Sequence, residues 1–446
     1  MTPPRRRTGE RRRFHVETLG CPKNAVDSDK VVATLLADGL LPADGPGDAD
    51  VVVVNTCAFV EAARAESIET ILALAEQRRP GARLVVTGCL AERAGDELAA
   101  ALPEIDAVVG FAAEGEIASV ALSRKPTGVR DLLELPRPAP SAPWAYLKIA
   151  EGCDRACAFC AIPSFRGAQR SRAPDAIEAE ARALVDGGVA ELVLVAQDLA
   201  WYGRDVGEPG SLAPLLRRLD RLAPSGLRRV RLLYLYPSEV RDPLLSTMHE
   251  LATVVAYFDL SLQHASARRL RAMKRWGSGE RFLDLVARIR RDAPHAAFRS
   301  SFISGFPGET EDDHEELLAF LDAAALDWAG FFPFSAEDGT PAATLPGAVP
   351  TDVVAQRLRE LAEVQDPITA AARASLLGST VDVLVDGSDA DGSLVGRTHR
   401  EAPEIDGVVR LGRDAFARPG ALVRARVTAV EGPDLEARPC AAEGAA

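Results

Sequence analysis

No run in this sequence approaches the ~18 consecutive apolar residues that a membrane-crossing helix requires, so no membrane association is expected. The first 13 residues carry six arginines but no apolar stretch, which argues against a secretory signal. Glu10 and the want of a clear amphipathic face argue against a transit peptide, and residues 1–12 are expected to form a disordered basic tail. A basic surplus is also missing, since the formal net charge is −13. Proteins that grip a phosphate backbone usually show the opposite balance. The acidic surface suits a basic partner and discourages non-specific RNA binding. Repeats, heptads and low-complexity tracts are absent apart from one Pro-rich segment. Cysteine is scarce, with seven in 446 residues.

Three of the seven form a C-x-x-x-C-x-x-C run, Cys153, Cys157 and Cys160, with no fourth Cys or His beside them. Three is the wrong count for a closed structural zinc site, which takes four protein ligands. Iron–sulfur clusters are normally held by four thiolates as well, so a cluster on these three would keep one iron open for chemistry. The competing reading is three incidental or buried thiols.

Cys21, Cys57 and Cys89 share a local pattern. An apolar extended run (Phe14 to Leu19, Val51 to Asn55, Leu84 to Thr87) precedes each cysteine, and helical periodicity follows it. Successive strand–loop–helix units build a parallel sheet, whose functional crevice lies outside the carboxyl ends of its strands. Three cysteines at three strand ends would converge there. Each would also lie near a helix N-terminus, which favours thiolate. A second three-ligand metal site is one reading; disulfides or packing thiols are the other. Cys440 stands alone in the tail. Clustered reduced cysteines fit a cytoplasmic setting.

At 446 residues and 47% apolar content the chain has room for about three domains. Pro136 to Pro143 is Pro-rich and is expected to be a linker. Before it, residues 13–135 are expected to form the α/β domain with the first three cysteines. After it, residues 144–370 offer six strands: Tyr146–Ala150, Leu192–Ala196, Val230–Leu235, Val255–Leu260, Phe298–Ile303 and Gly330–Phe334. Helical stretches such as Ala176–Asp186 and Glu311–Ala325 separate them, implying a parallel sheet, open or curled into a partial (β/α)6 barrel. Chemistry is expected at the carboxyl ends of those strands, and Cys153 lies just past the first. Beyond a helix over Asp352 to Leu377 the pattern turns to short β runs, Val381–Val385, Val408–Leu411 and Ala421–Val430. Residues 371–438 are therefore expected to be a small all-β barrel, with 439–446 a tail. From Ala371 onward nine Arg face twelve Asp and Glu, which does not suit charge-driven RNA binding.

The run Cys153-Asp-Arg-Ala-Cys157-Ala-Phe159-Cys160 resembles the signature of radical S-adenosylmethionine enzymes, including the aromatic residue before the last Cys. Leu19-Gly-Cys21-Pro-Lys-Asn-Ala-Val-Asp-Ser28 and Val54-Asn-Thr-Cys57-Ala-Phe resemble the amino-terminal domain of methylthiotransferases, and the β-rich end is similar to their TRAM domain. Within that family Asn24-Ala-Val-Asp-Ser28, Ala196-Gln-Asp198, Leu233-Tyr-Leu-Tyr-Pro237 and Ala402-Pro-Glu-Ile-Asp-Gly407 resemble the ribosomal-protein branch (RimO) more than the tRNA branch (MiaB). Phe334-Ser335 stands where the family often has Tyr-Ser, and Ala58 where it often has Gly; neither is a metal ligand.

The resemblance implies two 4Fe-4S clusters, one on Cys153, Cys157 and Cys160 and an auxiliary one on Cys21, Cys57 and Cys89. S-adenosyl-L-methionine would bind the open iron of the first as radical source, and a second molecule would donate the methyl group. The implied reaction places a methylthio group on the β-carbon of an aspartate in ribosomal protein S-twelve, free or in the small subunit. A reduced electron donor and a sulfur donor are then needed. A basic ribosomal protein suits an enzyme at −13. For the cofactor, Phe159 is a candidate near the adenine, against ordinary core packing. Gln197 and the Gly305-Phe-Pro-Gly-Glu309 turn, with Gly305 and Glu309, are candidates for its polar groups. The turn lacks a G-x-G-x-x-G fingerprint and could instead cap the next helix. His264 could line the site but is expected to be a structural residue, and Met273-Lys-Arg275 could meet substrate but is expected to be a solvated helix end. The rival functions are a tRNA adenosine methylthiotransferase, a non-catalytic iron–sulfur scaffold, and a radical enzyme without sulfur insertion, which would have no need of Cys21, Cys57 and Cys89.

Overall fold

A computed structural model describes residues 11–124, 131–412 and 415–440. Residues 1–10 of the expected basic tail and 441–446 of the expected terminal tail lie outside the described residues. By contact the chain divides into two compact units. The first runs to Ala139 and takes in Glu151–Arg155 and Cys160–Arg172; the second comprises Pro140–Ala150, Ala156–Phe159 and Ala173 onward. Contact thus does not follow chain order: two stretches of the expected 144–370 core pack in the first unit.

The first unit is built on a five-stranded parallel sheet in the order Leu41–Pro42, Arg13–Thr18, Val51–Thr56, Arg83–Gly88 and Ala107–Val109. Val51 to Val54 are fully buried, because a parallel sheet covered on both faces needs a continuous apolar run where a one-sided sheet would need alternation. Helices Pro22–Ala37, Glu61–Gln77 and Cys89–Ala101 follow the three central strands. Strand order reverses between Arg13–Thr18 and Val51–Thr56, and that switch point is where sheets of this kind bind ligands.

The second unit holds six parallel strands in two sets of three. Trp144–Lys148, Glu191–Val195 and Arg229–Leu232 form one set; Tyr257–Gln263, Ala297–Ser304 and Trp328–Pro333 form the other. Isolated bridges Val230↔Val254 and Leu235↔Leu260 connect the sets, giving the partial (β/α)6 arrangement. All six expected strands are present. The expected terminal helix spans Thr351–Ala374 and carries Pro367 within it.

The closing barrel has five strands, Thr380–Ser388, Leu394–Arg397, Val409–Leu411, Asp434–Pro439 and Leu422–Glu431. Two of these, Leu394–Arg397 and Asp434–Pro439, have too few apolar residues to be read from pattern. Gly396 shows why: a Cβ there would lie 2.2 Å from the Leu384 carbonyl oxygen, so backbone approach decides the residue and hydrophobicity does not. The barrel packs on the core within the same unit through buried ion pairs. Glu191 bonds Arg231 at 2.7 Å and Arg397 at 2.8 Å, while Arg229 donates to the Arg397 and Asp382 carbonyls.

Candidate metal centre

The first three cysteines lie at three neighbouring strand ends. Cys21 is the N-cap of Pro22–Ala37, Cys57 directly follows Val51–Thr56, and Cys89 opens Cys89–Ala101. None of the seven cysteines is disulfide-bonded, so the disulfide reading is set aside. The three are close enough for ionised Cys21 to push up the pKa of Cys57, and for both to push up that of Cys89. Their packing leaves no slack: a Cβ on Gly20 (φ +92) would lie 2.8 Å from Cys57 Cβ and 2.9 Å from its Sγ.

The expected help from helix N-termini holds at one position. Burial works against the Cys21 thiolate, but Lys23, Arg166 and the backbone N–H groups of Asn24 and Lys23 outweigh it and hold the thiol below its ordinary value. Burial wins at Cys57, raising its pKa. It also wins at Cys89, pushed up to about 11 against the pull of Arg166. Helix Glu61–Gln77 begins four residues beyond Cys57, too far on for the dipole to offset desolvation.

A polar frame ties the first two loops together, and Thr56 Oγ1 donates to the Thr87 carbonyl at 2.6 Å, before the third. Asn24 Nδ2 donates to the Leu19 carbonyl at 2.8 Å and the Thr56 carbonyl at 3.0 Å. Asn55 donates to the Asn24 carbonyl and to Ser28 Oγ, both at 2.9 Å, and Thr18 donates to Ser28. The Asn24-Ala-Val-Asp-Ser28 segment is thus the scaffold of the site. Behind it stands Arg166, which the sequence did not single out. Its only possible signal was its place six residues after Cys160, at the end of the short helix Ile162–Arg166. Beside it lies a cavity of about 550 Å³, lined by Asp27, Phe111, Glu114, Glu151 and Phe165 among others.

The second cysteine group is held differently. In the first unit the Cys153 N–H donates to the Gly167 carbonyl at 3.1 Å, and its Sγ accepts from the Arg155 N–H at 3.4 Å. Gly152 (φ +76) makes this possible, since a Cβ there would lie 2.1 Å from the Ala168 carbonyl oxygen. Cys160 belongs to the same unit. Cys157 belongs by contact to the second unit, where Arg275 Nη1 donates to its Sγ at 3.5 Å. Arg275 also donates to the Ser261 carbonyl and lies 4.0 Å from the centre of the Tyr236 ring. Met273 is fully buried, so Met273-Lys-Arg275 is not the solvated helix end that was expected; only Lys274 is exposed.

Among the described residues no three His, Cys, Asp or Glu side chains are grouped as round a single metal ion. A cluster spreads its ligands over several irons, so this bears on a mononuclear site and leaves a polynuclear one open. Converging free thiols with cationic neighbours are a donor set suited to such a cluster.

In the second unit the remaining candidates fall near strand ends. Phe159 packs against the cluster formed by Ala158, Met273, Phe306 and Ala342, which brings it to the Gly305–Glu309 turn. Glu309 is buried, and its carboxylate accepts from the Gly305 N–H (2.8 Å), the Phe306 N–H (3.2 Å) and Arg357 (2.9 Å). Its side chain therefore shapes the turn. The next helix is capped by Thr310 with Asp313, not by the turn itself. Gln197 is half-buried, two residues past Glu191–Val195. His264 is fully buried and its Nδ1 accepts from the Ala265 and Ser266 N–H groups, both 2.9 Å, so it is a neutral structural residue. Positive φ values at Tyr234, Gln263 and Lys274 concentrate backbone strain in the same region.

Comparison with known proteins agrees with this architecture. Residues 13–110 match the model of an uncharacterized protein family, UPF0004; residues 147–321 match the radical SAM superfamily, and residues 377–440 the TRAM domain. Among solved structures, the radical S-adenosylmethionine methyltransferase TsrM from Kitasatospora setae superposes with a TM-score of 0.55 at 15% identity, over 75% of this chain and 77% of that one, a likeness of fold. The ribosomal protein uS12 methylthiotransferase RimO of Salinispora arenicola (strain CNS-205) is 45% identical over 96% of this chain and 95% of its own. The protein of the same name from Aquifex aeolicus (strain VF5) is 40% identical over 95% of this chain and 96% of its own. Identity of that order, sustained from the first sheet through the closing barrel, means that the chain belongs to the RimO family of ribosomal protein uS12 methylthiotransferases.

Proposed function

We propose that this chain is a radical S-adenosylmethionine methylthiotransferase that places a methylthio group on the β-carbon of an aspartate in ribosomal protein uS12. The observation that carries the reading is full-length likeness to proteins of that name, with all six cysteines present in two groups of three. Cys153, Cys157 and Cys160 would hold one 4Fe-4S cluster, and Cys21, Cys57 and Cys89 the other. When bound, these clusters and S-adenosylmethionine supply a hydrogen-abstracting radical, the sulfur and the methyl group.

The chain's own residues hold and shape. Within the second unit Arg275 fixes the Cys157 thiol, and within the first the Cys153 N–H anchors its loop to Gly167. Glu309 locks the Gly305–Phe306 turn, which with Phe159 and Gln197 is assigned to S-adenosylmethionine. A fixed turn presents backbone groups without the entropy cost of ordering them on binding. Electron and sulfur donors are required by the balance of the reaction, and the setting is cytoplasmic. No helix of the described residues is long and apolar enough to cross a membrane.

The test is the mass of the aspartate-bearing loop peptide of uS12 from a host lacking this gene, with and without the gene restored. A methylthio mass increase seen only with the gene is the expected result. An unmodified peptide beside a newly modified tRNA adenosine would transfer the reading to the tRNA branch. No change in either under iron-replete conditions would leave the non-catalytic scaffold.

A further inference from the structure

Arg166 is a buried cation that the reading above does not use. Its side chain is 3% exposed, and every group it meets lies in the first unit. Nη2 donates to Cys89 Sγ at 3.2 Å and to Asn24 Oδ1 at 2.6 Å. Nη1 donates to Glu151 Oε1 at 2.8 Å and lies 3.4 Å from Asp27 Oδ2. The ring of Phe111 packs on its face, 4.6 Å from centroid to guanidinium carbon. A guanidinium cannot lose its charge here, and four partners on two edges fix its orientation. Burial of that charge among two carboxylates and a sulfur is costly unless each contact is kept.

We propose that Arg166 is the positioning residue of the Cys21–Cys57–Cys89 centre, orienting the Cys89 sulfur and raising the reduction potential of the iron–sulfur cluster held there. This rests on the assignment of an auxiliary cluster to those cysteines. One-electron reduction adds a negative charge to a cluster, and a fixed cation donating to a ligand sulfur stabilises the reduced form more than the oxidised one. Asp27 and Glu151 temper the effect and also keep the guanidinium from swinging away. The helix that ends in Arg166 starts two residues after Cys160, so one short segment carries both a ligand of the second cysteine group and the cation of the first.

The experiment uses the full chain with Cys153, Cys157 and Cys160 all replaced by Ala, reconstituted anaerobically with ferrous iron and sulfide. Iron content, circular dichroism and an EPR-monitored redox titration are recorded for this parent, for Arg166→Lys and for Arg166→Gln in it. Arg166→Lys keeps the charge; Arg166→Gln keeps a donor and removes the charge. The expected result is a midpoint potential near the parent value in Arg166→Lys and a more negative one in Arg166→Gln. Loss of iron loading in Arg166→Gln alone, with an unchanged circular dichroism spectrum, would equally support positioning. Loaded variants with potentials identical to the parent would overturn the proposal, as would collapse of the fold in both variants. A parent that takes up no iron would instead overturn the assignment of the cluster itself.

Discussion

At the scale of single residues, the two cysteine groups are expected to separate when mutated. Cys153→Ala abolishes reductive cleavage of S-adenosylmethionine while iron still loads on the first group, and Cys57→Ala keeps cleavage but stops sulfur insertion. Release of 5′-deoxyadenosine and product mass measure the two effects, and cleavage surviving in Cys153→Ala would sink the assignment. His264 supplies a different prediction. Burial keeps its imidazole neutral down to about 4, against an ordinary value of 6.5; Asp313 pulls the other way, while Arg269, His314 and Arg357 reinforce burial. Between those values the unfolded chain binds a proton that the folded one refuses, so stability falls as pH drops from 6.5 toward 4. His264→Asn, which keeps an acceptor for the Ala265 and Ser266 N–H groups, should flatten that slope in denaturant titrations. That His264 is structural was legible from residue type alone. The fate of Arg275 was not, because its partners Tyr236 and Cys157 come from distant parts of the chain.

At the scale of elements, the strand-end loops decide the first centre. Gly20 has a left-handed backbone and no room for a Cβ beside Cys57. Gly20→Ala should cost about 1–3 kcal/mol from backbone strain and lower iron loading on Cys21, Cys57 and Cys89. The measure is iron per chain with Cys153, Cys157 and Cys160 replaced by Ala; full loading would count against the close fit of Gly20 and Cys57. Strands such as Val51–Thr56 were legible because a doubly covered parallel strand is written as a continuous apolar run. The barrel strands Leu394–Arg397 and Asp434–Pro439 were not, because the closed ring, not local hydrophobicity, supplies their partners. The thiolate-favouring effect of helix N-termini was overestimated for a similar reason. Sequence shows that a helix follows each cysteine, but desolvation, which prevails at Cys57 and Cys89, depends on what packs above it.

At the scale of the whole molecule, the closing barrel is fastened to the core of the second unit by buried charge. Glu191 is held at about 2: burial would raise it, but Arg231, Arg397 and Arg229 together prevail. Glu191→Gln leaves those guanidinium groups without their shared counter-charge and should cost about 3–5 kcal/mol. A fall in thermal stability of the full chain, checked by calorimetry, is expected; an unchanged transition would show that the barrel does not depend on this network. The strand–helix alternation, the number of cysteines and their spacing were readable from local sequence, because periodicity and local turns are properties of neighbouring residues. From these came the fold class and the family resemblance that full-length relatives then supported. Tertiary structure alone decided which charges stand beside which sulfurs. Arg166 meets Asn24 and Cys89 across long stretches of chain, and burial gives such contacts their strength, which no local pattern records.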